Sequence, residues 1–384
     1  MITRLEVDGF KSLRNFAVDL EPFTVLVGPN DAGKSNILEA LALVARLGYM
    51  TPEDALKHGR GLAIDQFWRH GTTVSQNISF GLECLEPDAE DHGEAGNSTW
   101  ADRLRYELSL TRTPVVPRGE RVSISDSVRT IRVADDRWRT EHTEWHAHIA
   151  DTTEDREWKF LPGFRLIQLN ASHLREPSQR IDSGELAPDA SNLPSILATL
   201  PETQLGMIRA TLVAMIPGLS DFDVVERDES FQIEFHTREG EKVPARLASD
   251  GTLRVLALLT AVLARPSSSW DTLVCIEEPE NGIYPGRLAR LLEVLRELTD
   301  SSDWRAGNTE SPPPQIILTT HSPVALAALR QHRQVIRLVD VIRRDGVRCT
   351  RARPIVENVR DRLTEASAIE IEHLLRTVQP DEPR

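Results

Sequence analysis

The sequence predicts an α/β fold with a ligand site at one edge of a parallel sheet. An apolar run at residues 23–27 leads into a glycine-rich loop, and a helical pattern that ends near Gly48 follows this loop. Two further apolar runs, residues 273–276 and 315–320, end in two glutamates and in a histidine. Parallel α/β sheets bind their ligands at the carboxyl ends of the strands. The polar residues that follow these three strands are therefore expected to lie together.

A complete phosphate-binding loop connects the first strand to the helix. Residues 28–35 read Gly-Pro-Asn-Asp-Ala-Gly-Lys-Ser, which is the spacing G-x-x-x-x-G-K-S in a strand–loop–helix setting. Gly28 and Gly33 let the backbone curl so that successive amides face a phosphate, and the helix N-terminus adds positive potential. Lys34 is expected to reach the β- and γ-phosphates, and Ser35 to ligate Mg²⁺. The other residues predicted to contact the nucleoside triphosphate are Asn30, Asp31, Ala32 and Asn36.

The second strand delivers two carboxylates, Glu277 and Glu278, to the same edge. We expect Glu277 to hold Mg²⁺ through a water molecule and Glu278 to orient or deprotonate the attacking water. Acidic residues after a strand can also form a simple turn or a helix N-cap. Their combination with a phosphate-binding loop favours the catalytic interpretation.

His321 and a serine–glycine pair complete the predicted site. His321, at the tip of the third strand, is interpreted as a γ-phosphate sensor, although a lone histidine is more often structural or solvated. The segment Leu247–Arg254 leads into an apolar helix, and Ser249 or Asp250 fits its N-cap. An exposed helix N-terminus with serine and glycine also binds phosphate. One nucleotide in one subunit does not need this extra phosphate site, so we expect the segment to close on the nucleotide of a second chain.

The composition is that of a soluble globular chain with one large or two modest domains. Its 384 residues are 40% hydrophobic and 27% charged, and no run of about 18 apolar residues predicts a membrane span. Three scattered cysteines, Cys84, Cys275 and Cys349, lack metal-type spacing and favour a reducing, cytoplasmic location. The formal net charge of −14 argues against a surface that is basic throughout, but it leaves room for a local basic stripe.

The middle of the chain reads as an insertion into one nucleotide-binding domain. Residues 78–170 carry strand patterns that alternate by twos, and residues 190–218 read as helical. We predict a single domain over the whole chain, with its core in residues 1–75 and 236–384. Residues 76–235 are predicted to form an inserted lobe, β-rich in its first part and helical in its second.

The motifs between Val7–Leu13 and His321 resemble the ABC-type ATPase superfamily. Within it, the chain is similar to the soluble branch that includes the structural-maintenance-of-chromosomes (SMC) proteins, the recombination mediator RecF and the ATPase half of the overcoming-lysogenisation-defect (OLD) nucleases. Ser249–Arg254 and Glu277–Gly282 look like the forms found in small stand-alone and nuclease-linked members, often encoded in antiphage defence operons. The resemblance implies an ABC-type core with a mixed sheet and Mg-ATP as its ligand.

The resemblance also implies a homo-oligomer, a dimer or higher, assembled through the ATP sites. Leu247–Arg254 would be the family's signature motif, and we call it the signature segment. Its Ser249 and Gly251 would contact the γ-phosphate in the other chain. Asp250 stands where the family usually has a second glycine, and Glu277 stands where it usually has aspartate.

Two further positions depart from the family or stay open. Tyr284 stands where such relatives frequently carry histidine. The glutamine that would join the Mg²⁺ ligands is either Gln66 or Gln76, and Gln66 is our choice. The expected turnover is slow because of these departures.

The main hypothesis is an ATP-hydrolysing switch that drives a separate effector or nuclease subunit or acts on nucleic acid, in antiphage defence or DNA repair. Chain length after His321 leaves room for only a little over half of a typical domain of about 100 residues, so no nuclease is expected in this chain. The alternative is a slow ATP-binding scaffold that assembles or restrains a nuclease or toxin. A transporter ATPase is less favoured, and no membrane partner is expected. His146 and His148 could bind a metal on one strand face, but solvated histidines on a hairpin are the favoured interpretation.

Overall fold

The fold is taken from a computed structural model. It describes residues 1–87, 100–115, 119–133, 137–142, 163–180, 184–264, 272–305, 312–344 and 346–355.

A six-stranded mixed sheet forms the centre of the molecule. Its strands, in spatial order, are β10 (Gly163–Ile167), β15 (Thr272–Glu277), β16 (Gln315–Thr320), β3 (Phe23–Val27), β17 (Ile336–Arg344) and β18 (Val347–Pro354). Every neighbouring pair is parallel except β17 and β18, which form an antiparallel hairpin. The carboxyl ends of β15, β16 and β3 therefore meet at one edge, as the three apolar runs of the sequence predict.

The helix after the phosphate-binding loop lies between this sheet and a second sheet. Helix α1 (Lys34–Leu47) is buried along most of its length and shares one hydrophobic cluster with Leu26, Cys275 and Ile317 of the central sheet. Val25, which directly precedes Leu26 in β3, belongs to a different hydrophobic cluster on the opposite face of the central sheet. Because both faces are covered, the central strands are almost continuously apolar.

The second sheet is antiparallel and has six strands. In spatial order they are β2 (Phe16–Asp19), β1 (Ile2–Asp8), β6 (Asn77–Pro87), β7 (Trp100–Val115), β8 (Gly119–Val133) and β9 (Arg137–His142). Between α1 and β6 the chain forms helix α2 (Pro52–Lys57) and a small hairpin of β4 (Arg69–His70) and β5 (Thr73–Val74).

Helices and a small sheet cover the other face of the central sheet. The helices are α3 (Leu193–Thr199), α4 (Glu202–Met215), α5 (Asp250–Leu263), α6 (Pro285–Glu297) and α8 (Pro323–Ala328), and the short α7 (Ser302–Arg305) follows α6. The small sheet contains β11 (Ser178–Gln179), β12 (Leu219–Arg227), β13 (Ser230–Thr237) and β14 (Lys242–Pro244). Residues of α3, α4 and α5 share one hydrophobic cluster with the central sheet.

Two strands of the predicted inserted lobe pair with strands of the predicted core. Strand β10 falls within residues 78–170, the range predicted as the β-rich part of an inserted lobe, yet it pairs with β15 in the central sheet. Strand β6 also lies within the predicted lobe, yet it pairs with β1 of the predicted core. An alternating pattern identifies a strand but not the sheet that it joins. The wider division into core and lobe stays a prediction.

None of the helices formed by the described residues is long and apolar enough to cross a membrane.

Candidate functional site

Close packing explains both glycines of the phosphate-binding loop. Gly33 has φ +95°, and a Cβ there would lie 2.0 Å from Thr350 Oγ1 of β18. A Cβ at Gly28 would lie 2.0 Å from the carbonyl oxygen of Val339 on β17. Any side chain at either position would therefore displace the loop from the β17–β18 hairpin, and at Gly33 it would also be strained.

Side-chain hydroxyls hold the loop in place. Thr350 Oγ1 donates to the carbonyl oxygen of Ala32 at 3.0 Å and lies 2.6 Å from Ser12 Oγ. Ser12 Oγ in turn accepts a hydrogen bond from Asn36 Nδ2 at 2.7 Å. The loop is thus fixed between the N-terminal segment and strand β18.

Lys34 is buried and its ammonium group faces the loop. Its Nζ donates to the carbonyl oxygens of Gly28 and Pro29, at 2.8 and 2.9 Å. Burial lowers the pKa of Lys34, and nearby carboxylates, that of Glu278 foremost, partly oppose this shift. An ammonium group in this position can bind the oxygens of a phosphate held by the loop.

Glu277 joins the phosphate-binding loop to two other segments. Its carboxylate accepts hydrogen bonds from Ser35 Oγ, from Gln168 Nε2 at 2.6 Å and from Arg60 Nη2 at 2.6 Å. Gln168 directly follows β10, which is the neighbour of β15 in the sheet. Hydroxyl, carboxylate and amide groups supply the oxygen ligands that suit Mg²⁺, and the guanidinium of Arg60 shows that the position accepts positive charge. Ser35, Glu277 and Gln168 therefore fit a Mg²⁺ site.

Glu278 and His321 lie side by side at the ends of neighbouring strands. His321 Nδ1 is 3.2 Å from Glu278 Oε1 and 3.3 Å from Glu280 Oε1. Asn281 Nδ2 donates to Glu278 Oε2 at 3.1 Å. Glu278 has φ +46°, an uncommon conformation for a residue with a side chain, and its N–H donates to the carbonyl oxygen of Thr319 at 3.0 Å. The strained backbone and these contacts fix the direction of the Glu278 carboxylate.

A cavity of about 710 Å³ connects these groups, within the range of about 300–1,000 Å³ typical of small-molecule sites. The predicted residues that line it are Asn30, Asp31, Gly33, Lys34, Ser35, Asn36, Glu277 and Glu278. Gly28 and Ala32 do not line it, but their carbonyl oxygens accept hydrogen bonds from Lys34 Nζ and Thr350 Oγ1. His321 reaches the cavity through Glu278.

Ser249 and Gly251 lie outside the cavity of their own chain. Ser249 is the N-cap of α5, and its Oγ accepts a hydrogen bond from the Thr252 N–H at 3.2 Å. Gly251 packs against the turn that follows Glu278, where an added Cβ would lie 3.3 Å from the carbonyl oxygen of Gly282. The N-cap expectation is therefore met at Ser249, and contact with a second chain's nucleotide stays a prediction.

Gln66, the predicted Mg²⁺ ligand, does not line the cavity, and its role stays a prediction. Gln66 is only 1% exposed, and its Nε2 donates to the carbonyl oxygen of Arg60 at 2.8 Å. The main-chain carbonyl oxygen of the alternative, Gln76, accepts a hydrogen bond from the Arg112 N–H. Gln168 does line the cavity, because its strand, β10, adjoins β15.

Besides Gln168, five residues line the cavity and were not predicted: Ser12, Arg60, Leu169, Arg254 and Asn281. The sequence signal for Gln168 was its place directly after a short strand, the same position that identifies Glu277 and His321. The candidate metal ligands His146 and His148 lie outside the described residues. Within the described part of the chain, no group of three or more His, Cys, Asp or Glu side chains is arranged to hold a metal ion.

The fold and the site define an ATPase of the ABC type, in the group that contains SMC proteins, RecF and OLD nucleases. The chain belongs to the family described as "AAA domain, putative AbiEii toxin, Type IV TA system", whose profile matches residues 23–327.

Similar proteins agree with this assignment. The chain is 24% identical to an OLD nuclease from Thermus scotoductus over 94% of this chain and 67% of the relative. It is 22% identical to an ATP/GTP phosphatase from Helicobacter pylori over 86% of this chain and 88% of the relative. It is 26% identical to the DNA replication and repair protein RecF from Erwinia tasmaniensis over 56% of this chain and 58% of the relative.

Solved structures show the same fold. An SMC head bound to the C-winged helix domain of ScpA superimposes with a TM-score of 0.54 and 16% identity, covering 92% of this chain and 98% of the other. The SMC head of Pyrococcus yayanosii, with a coiled coil and joint, gives a TM-score of 0.54 and 12% identity, covering 98% of this chain and 99% of the other. The chain therefore has the SMC head fold.

Proposed function

We propose that the protein is a molecular switch that binds and hydrolyses Mg-ATP. The observation that carries this proposal is the meeting of Ser35, Glu277 and Gln168 at one point, next to the Glu278–His321 pair. When bound, Mg²⁺ neutralises charge on the β- and γ-phosphates. Glu278 is placed to accept a proton from the attacking water, and His321 to contact the γ-phosphate.

The switch is proposed to close as an ATP-sandwich dimer. Ser249 is exposed at the N-terminus of α5 and does not line the cavity of its own chain, so a second chain's nucleotide can reach it. Two large apolar side chains nearby are also exposed, Leu247 at 70% and Tyr284 at 75%. Leu247 lies two residues before Ser249, and Tyr284 directly follows Ile283. The two regions are close, because a Cβ added at Gly251 would lie 3.9 Å from Ile283 Cα. An exposed apolar pair beside a phosphate-binding helix end suits burial between two chains.

The first test measures the solution mass of Glu278→Gln by light scattering, with and without Mg-ATP. Blocking hydrolysis traps the closed state, so a rise in mass that needs Mg-ATP is expected. Wild-type hydrolysis should disappear in Lys34→Ala, because the phosphate-binding ammonium is lost. Unchanged hydrolysis in Lys34→Ala would refute the proposal.

A slow ATP-binding scaffold is the second candidate, and the contacts of Glu277 favour it. The carboxylate already accepts hydrogen bonds from Ser35, Gln168 and Arg60, so a metal ion must displace the guanidinium before it can bind closely. Steady-state phosphate release separates the two candidates. A scaffold binds ATP with negligible release, whereas a switch turns over and loses turnover in Glu278→Gln.

We propose nucleic acid as a partner of the β17–β18 hairpin. Arg343 and Arg348 are exposed and lie opposite each other across the two strands, although like charges in that arrangement destabilise a sheet. Arg344 donates to the carbonyl oxygen of Asn15, and Arg14 stacks over the Trp68 ring at 4.6 Å. No carboxylate of the described residues pairs with any of these four arginines. Unpaired arginines beside an aromatic ring suit a phosphate backbone.

The names of the relatives support the same partner, since RecF and the SMC proteins are named for DNA repair and chromosomes. The test is binding of a fluorescent DNA duplex to the double variant Arg343→Ala/Arg348→Ala across a range of salt concentrations. The slope of log affinity against log salt should fall by about 2, one for each lost phosphate contact. The double variant Arg290→Ala/Arg330→Ala, with two exposed arginines outside this surface, is the control. An equal slope in both variants would exclude the hairpin as the binding surface.

We propose that the switch acts on a separate effector in antiphage defence. Support comes from the toxin–antitoxin wording of the family description and from the relative named OLD nuclease. The test mixes the purified chain with the product of the adjacent gene and follows complex formation by light scattering, with and without Mg-ATP. Nuclease or toxin activity that is the same with wild-type chain and with Lys34→Ala would contradict this role.

A further inference from the structure

The segment after strand β10 contacts both the metal site and the signature segment. At its first residue, Gln168 Nε2 donates to Glu277 Oε2 at 2.6 Å. Seven residues later, Arg175 Nη1 donates to the carbonyl oxygens of Arg246 and Ala248, at 2.9 and 2.8 Å. Arg175 Nη2 also forms an ion pair with the carboxylate of Asp250. We propose that Arg175 is a positioning residue that couples the metal site of one chain to the signature segment that the same chain offers to another ATP.

The segment between Gln168 and Arg175 is rigid enough to transmit a displacement. Asn170 organises it, because its Oδ1 accepts from Ser172 N–H and Oγ, at 3.1 and 2.7 Å, and its carbonyl oxygen accepts from His173 N–H at 3.1 Å. Leu174 is only 1% exposed and belongs to the large hydrophobic cluster. Hydrogen-bonded, packed segments of this kind can carry coupling between the groups at their two ends.

The ion pair with Arg175 explains why an aspartate stands at position 250. Asp250 stands where the family usually has glycine, but its φ is not positive, so nothing in the backbone requires glycine there. As the first residue of α5, its carboxylate also lies favourably at the positive end of the helix. Where the family has a flexible glycine, this chain therefore has an aspartate that forms a charge-assisted contact with Arg175, in the segment that follows β10.

The position of Ser249 depends on this contact. Arg175 binds the carbonyl oxygen of Ala248, the residue directly before the Ser249 N-cap. On the other side, Gly251 packs against Gly282 in the turn after Glu278. The exposed serine thus lies between the segment that begins at Gln168, beside the metal site, and the turn that follows Glu278. Occupation of one ATP site would therefore set the geometry with which the chain completes a second site.

This inference rests on the proposed dimer, and its test separates the two. In a Glu278→Gln parent, Arg175→Ala is expected to weaken Mg-ATP-dependent dimerisation about tenfold, while nucleotide binding to the isolated chain changes less than about twofold. In the active protein, Arg175→Ala should lower kcat about tenfold with little change in KM, because the lost contact serves the trans site. The matched control is Arg209→Ala, an ion-paired arginine of similar exposure, 27% against 30%, that does not contact the site.

Each outcome decides the matter. A parent that stays monomeric with Mg-ATP overturns the dimer and the coupling together. A parent that dimerises equally well with and without Arg175→Ala overturns the coupling alone. If Arg175→Ala does not fold, Asp250→Asn replaces it, because this change removes only the charge of an exposed side chain. Asp250→Asn should reproduce part of the loss in dimerisation, and full dimerisation in that variant overturns the coupling.

Discussion

Replacement of Gly33 by alanine measures how tightly the phosphate-binding loop packs on strand β18. The new Cβ would lie 2.0 Å from Thr350 Oγ1 and 2.8 Å from Ser12 Oγ, in a backbone with φ +95°. The left-handed conformation costs alanine about 1–2 kcal/mol, and overpacking costs about 1–3 kcal/mol more. The free energy of unfolding should therefore fall by roughly 2–5 kcal/mol. Urea unfolding without nucleotide, followed by circular dichroism, measures this loss.

Gly240→Ala is the matched control for this change. Gly240 has φ +88°, close to that of Gly33, but an added Cβ there meets no atom within 4 Å. It should lose only the conformational part, about 1–2 kcal/mol. Thr350→Ala removes the nearest clashing atom, so it should recover about 0.5–3 kcal/mol when combined with Gly33→Ala. Equal losses at Gly33 and Gly240, or independent effects of Gly33→Ala and Thr350→Ala, would refute the packing argument.

Three other outcomes concern the metal site and Lys34. Gln168→Ala should raise the Mg²⁺ concentration for half-maximal ATP hydrolysis about tenfold, whereas Gln66→Ala should leave it unchanged in soluble, folded protein. Arg60→Ala should lower this concentration, because its guanidinium competes with the cation for Glu277. Burial lowers the pKa of Lys34 in the folded protein, so the unfolded chain holds this proton more tightly. The free energy of unfolding should therefore rise as the pH increases from the lowered pKa to the ordinary pKa of lysine. Urea titrations across that pH range should show no such rise in Lys34→Met.

The sequence predicted those parts of the site that depend on one strand and the residues directly after it. Two contiguous motifs can be identified in this way: the phosphate-binding loop with Lys34 and Ser35, and the pair Glu277 and Glu278 after β15. The structure brings these residues to one cavity, and the parallel pairing of β15, β16 and β3 is the reason. The mixed sheet and the SMC head fold are confirmed by the solved structures of SMC heads.

The choice between Gln66 and Gln168 depends on strand pairing, which the sequence alone does not show. Gln168 belongs to the site only because β10 pairs with β15, about a hundred residues further along the chain. The five residues of β10 include a buried Arg165, whose Nη1 donates to the carbonyl oxygen of Ala261, so the run does not read as a central strand. Its alternating pattern matched the neighbouring antiparallel strands instead. Arg175 was missed for a similar reason, because its partners Ala248 and Asp250 are distant in sequence.

The hydroxyl contacts around the phosphate-binding loop constrain how this protein can be synthesised. Ser12 and Thr350 are 338 residues apart, and Ala32 and Thr350 are 318 residues apart, yet both pairs are in direct contact. Ala32 of the loop leaves the ribosome 318 residues ahead of Thr350 in strand β18. Contacts of such long sequence separation also form late in refolding, because the intervening chain must first be ordered. On the growing chain, the phosphate-binding loop therefore lacks the hydroxyl contacts that hold it in place until Thr350 has been added.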